Sequence, residues 1–463
     1  LEAVQGKVKA RPCDKACRVQ RTSAKWKERE FEMKKILSGM ALSAALMTSV
    51  SSLAVAQEGV TVIEAGNVLA VPVEGYLQNQ SVKVQDGKIV SITSGFSTHP
   101  SGTRVMNMRD AYIVPGLIDS HVHLTSEWSP TSRMKALSDS EVDAALEGAA
   151  HAKTTLLAGF TTVQDVGGAN EAIFSLRDAI SAGKIDGPRI RASGRAVTPT
   201  GGHGDSNGFS PALTKVFSGP NACNGADDCR RAVRETIRSG ADLIKITATG
   251  GVLSNTKAGL EQQFYDDEIK AIVDTAAMMG RKVTAHAHGK SGIEAALRNG
   301  VQSIEHGTYL DDETIALFRK HNATLVPTVL AGVTVTGWTT NGWLPEASRE
   351  KAAVVGPLMQ DMLTRAREGG VNVAFGTDSG VSQHGKNGEE FIYMVNAGFS
   401  PEEAIKTATV NASIHIEMDD QIGTLEPGKF ADMVVLRNDP LEDVRALQSS
   451  ITMVIKNGET FRP

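Results

Sequence analysis

Cysteine is scarce in this chain, net positive charge is absent, and neither an internal repeat nor a phosphate-cradling glycine loop is present. Only 4 of 463 residues are cysteine. Cys13 and Cys17 precede the first methionine, while Cys223 and Cys229 share the polar stretch NACNGADDC. In an exported chain a close, even pair points to a disulfide over a redox or metal pair, with two free thiols as the alternative. Export is itself an expectation. Met33-Lys34-Lys35 leads into an uncharged run, Ile36–Ala56, that ends Ala54-Val55-Ala56. That is the layout of a signal peptide cleaved after Ala56, implying a periplasmic or secreted protein, and an uncleaved membrane anchor is the competing reading. Residues 1–32 have no apolar periodicity and read as an upstream segment, expected to be disordered. Residues 1–56 hold 11 Lys and Arg against 5 Asp and Glu, so the overall charge of −5 becomes −11 without them. An acidic surface argues against nucleic acid as a partner, and after cleavage no membrane is expected either. Small molecules remain.

The two ends of the remaining chain are β-rich. VTVIEAGNVL, SVKVQDGKIVSI and TRVMNMRDAYIV come first, with Asp86-Gly87 as a hairpin turn. ADMVVL and ITMVIKNGETF come last, with a second turn at Asn457-Gly458. Between them apolar strand candidates at 159–166, 189–197, 242–246, 282–286, 302–306, 324–329 and 371–377 alternate with stretches of helical period, such as Asp266–Met279. With the strand before His121 this makes eight βα units, an α/β pattern that suggests a (β/α)8 barrel. A doubly wound sheet competes, but no glycine loop opens its first βα turn.

Barrel chemistry collects where strands end, so polar residues that close apolar runs are the candidates. YIVPGLIDSHVHL puts His121 and His123 on one face of a strand, where two imidazoles can share a metal ion. Lys245 lies inside DLIKITATGG, His286 ends KVTAHAHG, His306 ends SIEHG and Asp378 follows VAFGTDSG. Each has a plain structural reading: a lone histidine after a strand can be a hydrogen-bonded brace, and Asp378 a turn or helix-cap residue. Lys245 is harder to dismiss, because an ammonium between Ile244 and Ile246 is costly unless paired or neutralised. Reaction of the neutral amine with carbon dioxide would give a carbamate, an anionic oxygen ligand able to bridge two cations.

Taken together, His121-x-His123, Lys245, His286, His306 and Asp378 resemble the amidohydrolase superfamily, in its binuclear subgroup with a carboxylated lysine, from about Val60 to Pro463. LIKITATGGV, AHAHG and SIEHGTYL are similar to the branch of Xaa-Pro dipeptidases and related metal-dependent carboxypeptidases, which includes ochratoxin-degrading amidohydrolases. The resemblance implies a distorted barrel over 115–419 and a small β-sandwich from 57–114 and 420–463. It also implies two divalent ions, zinc first. His121, His123 and Asp378 would hold one, His286 and His306 the other, and carboxylated Lys245 would bridge them. A hydroxide held between the ions would be the nucleophile, with Asp378 as general base and then acid. The related peptidases are commonly homo-oligomers, and that expectation comes with them.

The substrate is less constrained. His203, among the glycines of TPTGGHGD, either contacts a substrate carboxylate, as the matching histidine does in the related carboxypeptidases, or braces its loop. Phe264 or Tyr265 is expected to line the pocket of the leaving amino acid, and His288 to stand behind the ligands instead of being a seventh one. The segment GWTTNGWLPEASRE is either a lid or an exposed loop whose tryptophans pack locally. These readings favour hydrolysis of an amide to an amino acid with a free carboxylate: a dipeptide, an N-acyl amino acid, or a phenylalanine-linked mycotoxin such as ochratoxin A. Hydrolysis of a cyclic amide or lactone is the alternative, and a non-catalytic scaffold like the dihydropyrimidinase-related proteins is the distant one.

Overall fold

The computed structural model describes residues 59–463 except Lys257. The expected leader and the residues before it lie outside the described residues. Strands β1 (Val60–Val68), β2 (Leu77–Gln85), β3 (Lys88–Ser94) and β4 (Arg104–Pro115) come first. Parallel strands follow at β5 (Leu117–Val122), β6 (Phe160–Asp165) and β7 (Arg189–Ala192), then, after the two-residue pieces β8 (Thr198–Pro199) and β9 (Ala222–Cys223), at β10 (Ile244–Thr247), β11 (Val283–Ala287), β12 (Ser303–His306), β13 (Thr324–Val326) and β14 (Asn372–Val373). The chain ends with β15 (Met433–Leu436), β16 (Ile451–Lys456) and β17 (Glu459–Phe461).

Both chain ends enter one sheet, in the order β17-β16-β15-β4-β1-β2-β3. The two ends expected to build a sandwich share one seven-stranded sheet, because β4 pairs with β1 on one side and β15 on the other. Strands from both halves, through Val82, Val84, Met433 and Val435, share one apolar cluster. The two hairpin turns are where the sequence put them: Asp86 and Asn457 have φ of 51° and 50° and the glycines after them 74° and 76°, the left-handed pair that joins antiparallel strands tightly.

The parallel strands form a three-stranded sheet, β5-β6-β7, and a five-stranded sheet, β10 to β14 in sequence order. Backbone hydrogen bonds join them at both edges. Val197 N–H donates to the Lys245 carbonyl at 2.8 Å, and Ser120 N–H to the Phe375 carbonyl at 2.9 Å. Several strands are shorter than their apolar runs. Val197 and Ala374–Ser379 continue alongside their neighbours without regular pairing, and Val329 begins a helix, Val329–Gly337, because Thr328 turns the chain with φ of 51°. The helices cover the outside. Asp266–Met278 buries Ile269, Ile272, Val273 and Ala276 as its period requires, and Glu141–Leu157 starts at a capping box between Ser140 and Asp143. Phe160, Phe375 and Phe391, fully buried and in ring contact, fill the base of the strand bundle, each contributing about 1.5–3 kcal/mol by leaving water. Cys223 and Cys229 are joined in a disulfide.

Candidate metal centre

Where the parallel strands end, a cavity of about 520 Å³ opens among His121, His123, His203, Lys245, His286, His288, His306 and Asp378. Alternation along β5 places Asp119, His121 and His123 on one face while Val122 packs into the core. Asp119, fully buried, accepts hydrogen bonds from His121 N–H (3.1 Å), Thr377 N–H (3.1 Å), the Thr377 hydroxyl (2.6 Å) and the Asn387 amide (2.8 Å). One carboxylate thus fixes the first strand against the last, and with it the spacing of the two histidines from Asp378. His306 and Asp378 both have left-handed backbones, φ of 73° and 56°, which turn their side chains inward where each strand stops. Such conformations cost about 1–3 kcal/mol and persist where the surroundings over-determine them.

Each inner imidazole gives one nitrogen to the protein and turns the other to the cavity. His121 Nδ1 pairs with buried Glu305 at 2.6 Å, His123 Nδ1 donates to the Gly167 carbonyl at 2.8 Å, and His306 Nδ1 meets the Thr328 hydroxyl at 2.7 Å. Nε2 of His121 and of His123 then lie 3.5 and 3.1 Å from Oδ1 of Asp378. That oxygen is buried, and no hydrogen bond with acceptable geometry reaches it. Two lone-pair nitrogens facing an orphaned carboxylate oxygen are arranged as donors around a cation, and the hydrogen bonds behind them are of the kind that orient metal-binding histidines. Burial holds His121, His286 and His306 well below the ordinary histidine range, so they are neutral, the form in which imidazole binds a metal. His123 differs: burial lowers it, but Asp378 outweighs burial and raises it. A proton on His123 and a cation beside Asp378 therefore compete for one place.

The second donor group is His286, His288 and His306, whose ligand-capable nitrogens lie within 4.8 Å of one another, as do those of His121, His123 and Asp378. Lys245, 4% exposed, faces the same cavity. Burial lowers its pKa. Glu305, Asp378 and Asp165 oppose this through space, and none of them hydrogen-bonds to it. A buried amine so poorly paired suits conversion to an anion better than retention as an ammonium. Imidazole nitrogens, carboxylate oxygen and no thiolate fit zinc, and also manganese or cobalt.

All six residues expected to bind metal therefore come together, and His203 joins them: its ring stacks on His286 with centroids 4.1 Å apart, and its Nδ1 meets the Ser254 hydroxyl at 2.6 Å. Gly251 permits this, since a Cβ there would sit 2.3 Å from the His203 ring. Burial, followed by Lys245, lowers His203 to about 3, so it offers a hydrogen bond and no charge. His288 stands in the cavity lining beside His286 and His306. Phe264 and Tyr265 need correction, because neither lines the cavity. Phe264 is 2% exposed inside the apolar core, and Tyr265 is 78% exposed at the start of the helix Asp266–Met278, where a side chain points to solvent. Ala331, Val335, Val355 and Met359 form an apolar wall in their place. In the expected lid, Trp338 is buried between Trp128, from a distant part of the chain, and Trp343, with centroids 5.3 and 5.6 Å apart. Sequence reading gave no role to Asp119, Glu305 or Thr328. A glutamate between Ile304 and His306 in an apolar strand was the available signal.

The model of the Amidohydrolase family matches residues 112–461. Ochratoxinase of Aspergillus niger is 31% identical over 426 residues, 87% of each chain. A solved Xaa-Pro dipeptidase with methionine bound in its active site has a TM-score of 0.83 and 37% identity, covering 87% of this chain and 100% of that one. A prolidase solved with N-methylphosphonate-L-proline has a TM-score of 0.80 and 32% identity, covering 87% of this chain and 99% of that one.

Proposed function

This chain belongs to the amidohydrolase family, a hydrolase of amides, and from that premise we propose that it releases an amino acid bearing a free carboxylate from a dipeptide, an N-acyl amino acid or a phenylalanine-linked mycotoxin such as ochratoxin A. The observation that carries the reading is the convergence of cavity-facing imidazole nitrogens on the orphaned oxygen of Asp378, beside a buried and unpaired lysine. In this proposal the strands form a (β/α)8 barrel. His121, His123 and Asp378 would hold one divalent ion and His286 and His306 a second, and Lys245, as the carbamate formed when its neutral amine adds carbon dioxide and loses a proton, would supply an anionic oxygen to them.

Bound at such a site, two divalent ions supply Lewis acidity that polarises the scissile carbonyl and acidifies water. The side chains supply the rest. Burial raises the pKa of Asp378, but His121 and His123 outweigh it and keep the group below the ordinary carboxylate range, so at neutral pH the carboxylate is ionised and able to take a proton from water and return it to the leaving amine. His203 and His288, both neutral with pKa values of about 3, orient the substrate by hydrogen bonds. The apolar wall takes an apolar group of the substrate and excludes water. The relatives named for dipeptidase, prolidase and ochratoxinase activity support this substrate class. The disulfide supports export, which we propose with it.

The test is release of free amino acid from a panel of dipeptides, N-acyl amino acids and ochratoxin A by zinc-loaded protein. Turnover of a carboxylate-bearing amide is expected. Inactivity on the whole panel, together with hydrolysis of a lactone or ring amide, would replace this reading with the cyclic one.

A further inference from the structure

Beside the centre just described lies a second group of donors that the proposed reaction does not use. Glu127 sits in the loop that continues from His123, His151 on the helix Glu141–Leu157, and His384 in the loop that continues from Asp378; one ligand-capable atom of each lies within 4.8 Å of the others. The tautomers are set from outside. His151 Nδ1 donates to the Leu124 carbonyl at 2.9 Å and His384 Nε2 to the Ser126 carbonyl at 3.0 Å. Nε2 of His151 and Nδ1 of His384 are thereby left with lone pairs, the pattern also seen for His123 against Gly167. His384 is 7% exposed, and its Nδ1 is a buried atom with no hydrogen-bond partner. Glu127 closes the group, its Oε2 accepting the backbone N–H of His384 at 2.9 Å.

We propose that Glu127, His151 and His384 form a third divalent transition-metal site that ties together the two loops carrying His123 and Asp378. Two imidazole nitrogens and a carboxylate oxygen, with water completing the shell, suit zinc or cobalt. The two rings stack with centroids 4.3 Å apart and planes 21° from parallel. Backbone contact already links the loops, Trp128 N–H to the Gly380 carbonyl at 2.6 Å. A cation here reinforces that link without touching the substrate.

The experiment strips the full chain with a chelator, reloads it with Zn²⁺, removes excess metal and counts zinc per chain by mass spectrometry, with the melting temperature read in parallel. Three ions are expected in the wild type and two in His384→Asn and His151→Asn. The wild type should also gain a few degrees in Tm from the third equivalent, and the variants should not. His151, on a partly exposed helix face, provides the variant that folds if His384→Asn does not. Two ions in the wild type, with no change in either variant, would overturn the third site and leave the proposed function standing. Loss of all zinc from the wild type would overturn both.

Discussion

The seven-stranded sheet and the strand bundle beneath the cavity are both built on buried β-strands, yet they treat buried charge in opposite ways. In the sheet, Glu64 is answered at once by Arg109, whose Nη2 is 2.7 Å from its carboxylate, and by His99 at 3.1 Å. Under the cavity, Lys245 has no hydrogen-bonded acid, Oδ1 of Asp378 has no hydrogen bond, and Glu305 is spent on His121. Removing charge from water costs several kcal/mol per ion unless partners replace the hydration. The sheet meets that cost with side chains. The bundle leaves part of it open, which is what the proposed metal centre would call for.

The sharpest way to break the contrast is Lys245→Ala, which should lower kcat/KM by on the order of a thousandfold or more and also lower bound metal, read by metal analysis of the dialysed protein. A variant that kept both its metal and its rate would show that Lys245 is only a buried brace. Glu305→Gln is the next largest. It keeps the shape but weakens the hold on His121 Nδ1, and metal affinity should fall about 10- to 100-fold in a competition titration with a chromogenic chelator, with fold and Tm little changed. Tyr265→Ala should leave kcat/KM within about twofold, because the side chain faces solvent; a large rise in KM would return it to the pocket.

The smallest effect belongs to the sheet. Glu64→Gln should lower Tm slightly and leave the rate and metal content unchanged. Its pH dependence has a definite sign. The hydrogen bond from His99 leads, burial opposes it, and Arg109 adds to it, so the folded pKa lies below the ordinary 4.5. The stabilisation is then fully present above about 4.5 and is lost as pH falls through the lowered folded value. The Tm gap between wild type and variant should close on that side. A gap that widened in acid would mean that Glu64 is not held as a carboxylate.

Much of the site was legible because its residues end apolar runs. His121, His286, His306 and Asp378 interrupt hydrophobic stretches at strand ends, and Lys245 interrupts one in mid-strand, positions where polarity has to be answered by something. Phe264 and Tyr265 failed for a related reason. Phe264 turns into the core and Tyr265 into solvent, and whether either reaches a cavity depends on tertiary placement that the local sequence does not carry. The pairing between the two ends was not legible, because local periodicity marks strands without naming their partners; β4 pairs with β15 across more than 300 residues of chain.

Periodicity, turn chemistry and the spacing of histidines, lysine and aspartate determined, without any coordinates, the alternation of strands and helices, both hairpin turns and the six candidate ligands. These are local matters: a left-handed turn needs Asn-Gly or Asp-Gly, and a half-buried strand needs alternation. Tertiary structure alone decided that Asp119 braces His121 against Thr377, that Glu305 holds His121, that the pocket wall comes from Val335 and Met359, and that Glu127, His151 and His384 come together. Each of these is a distance between segments far apart in the chain, and only folding sets it.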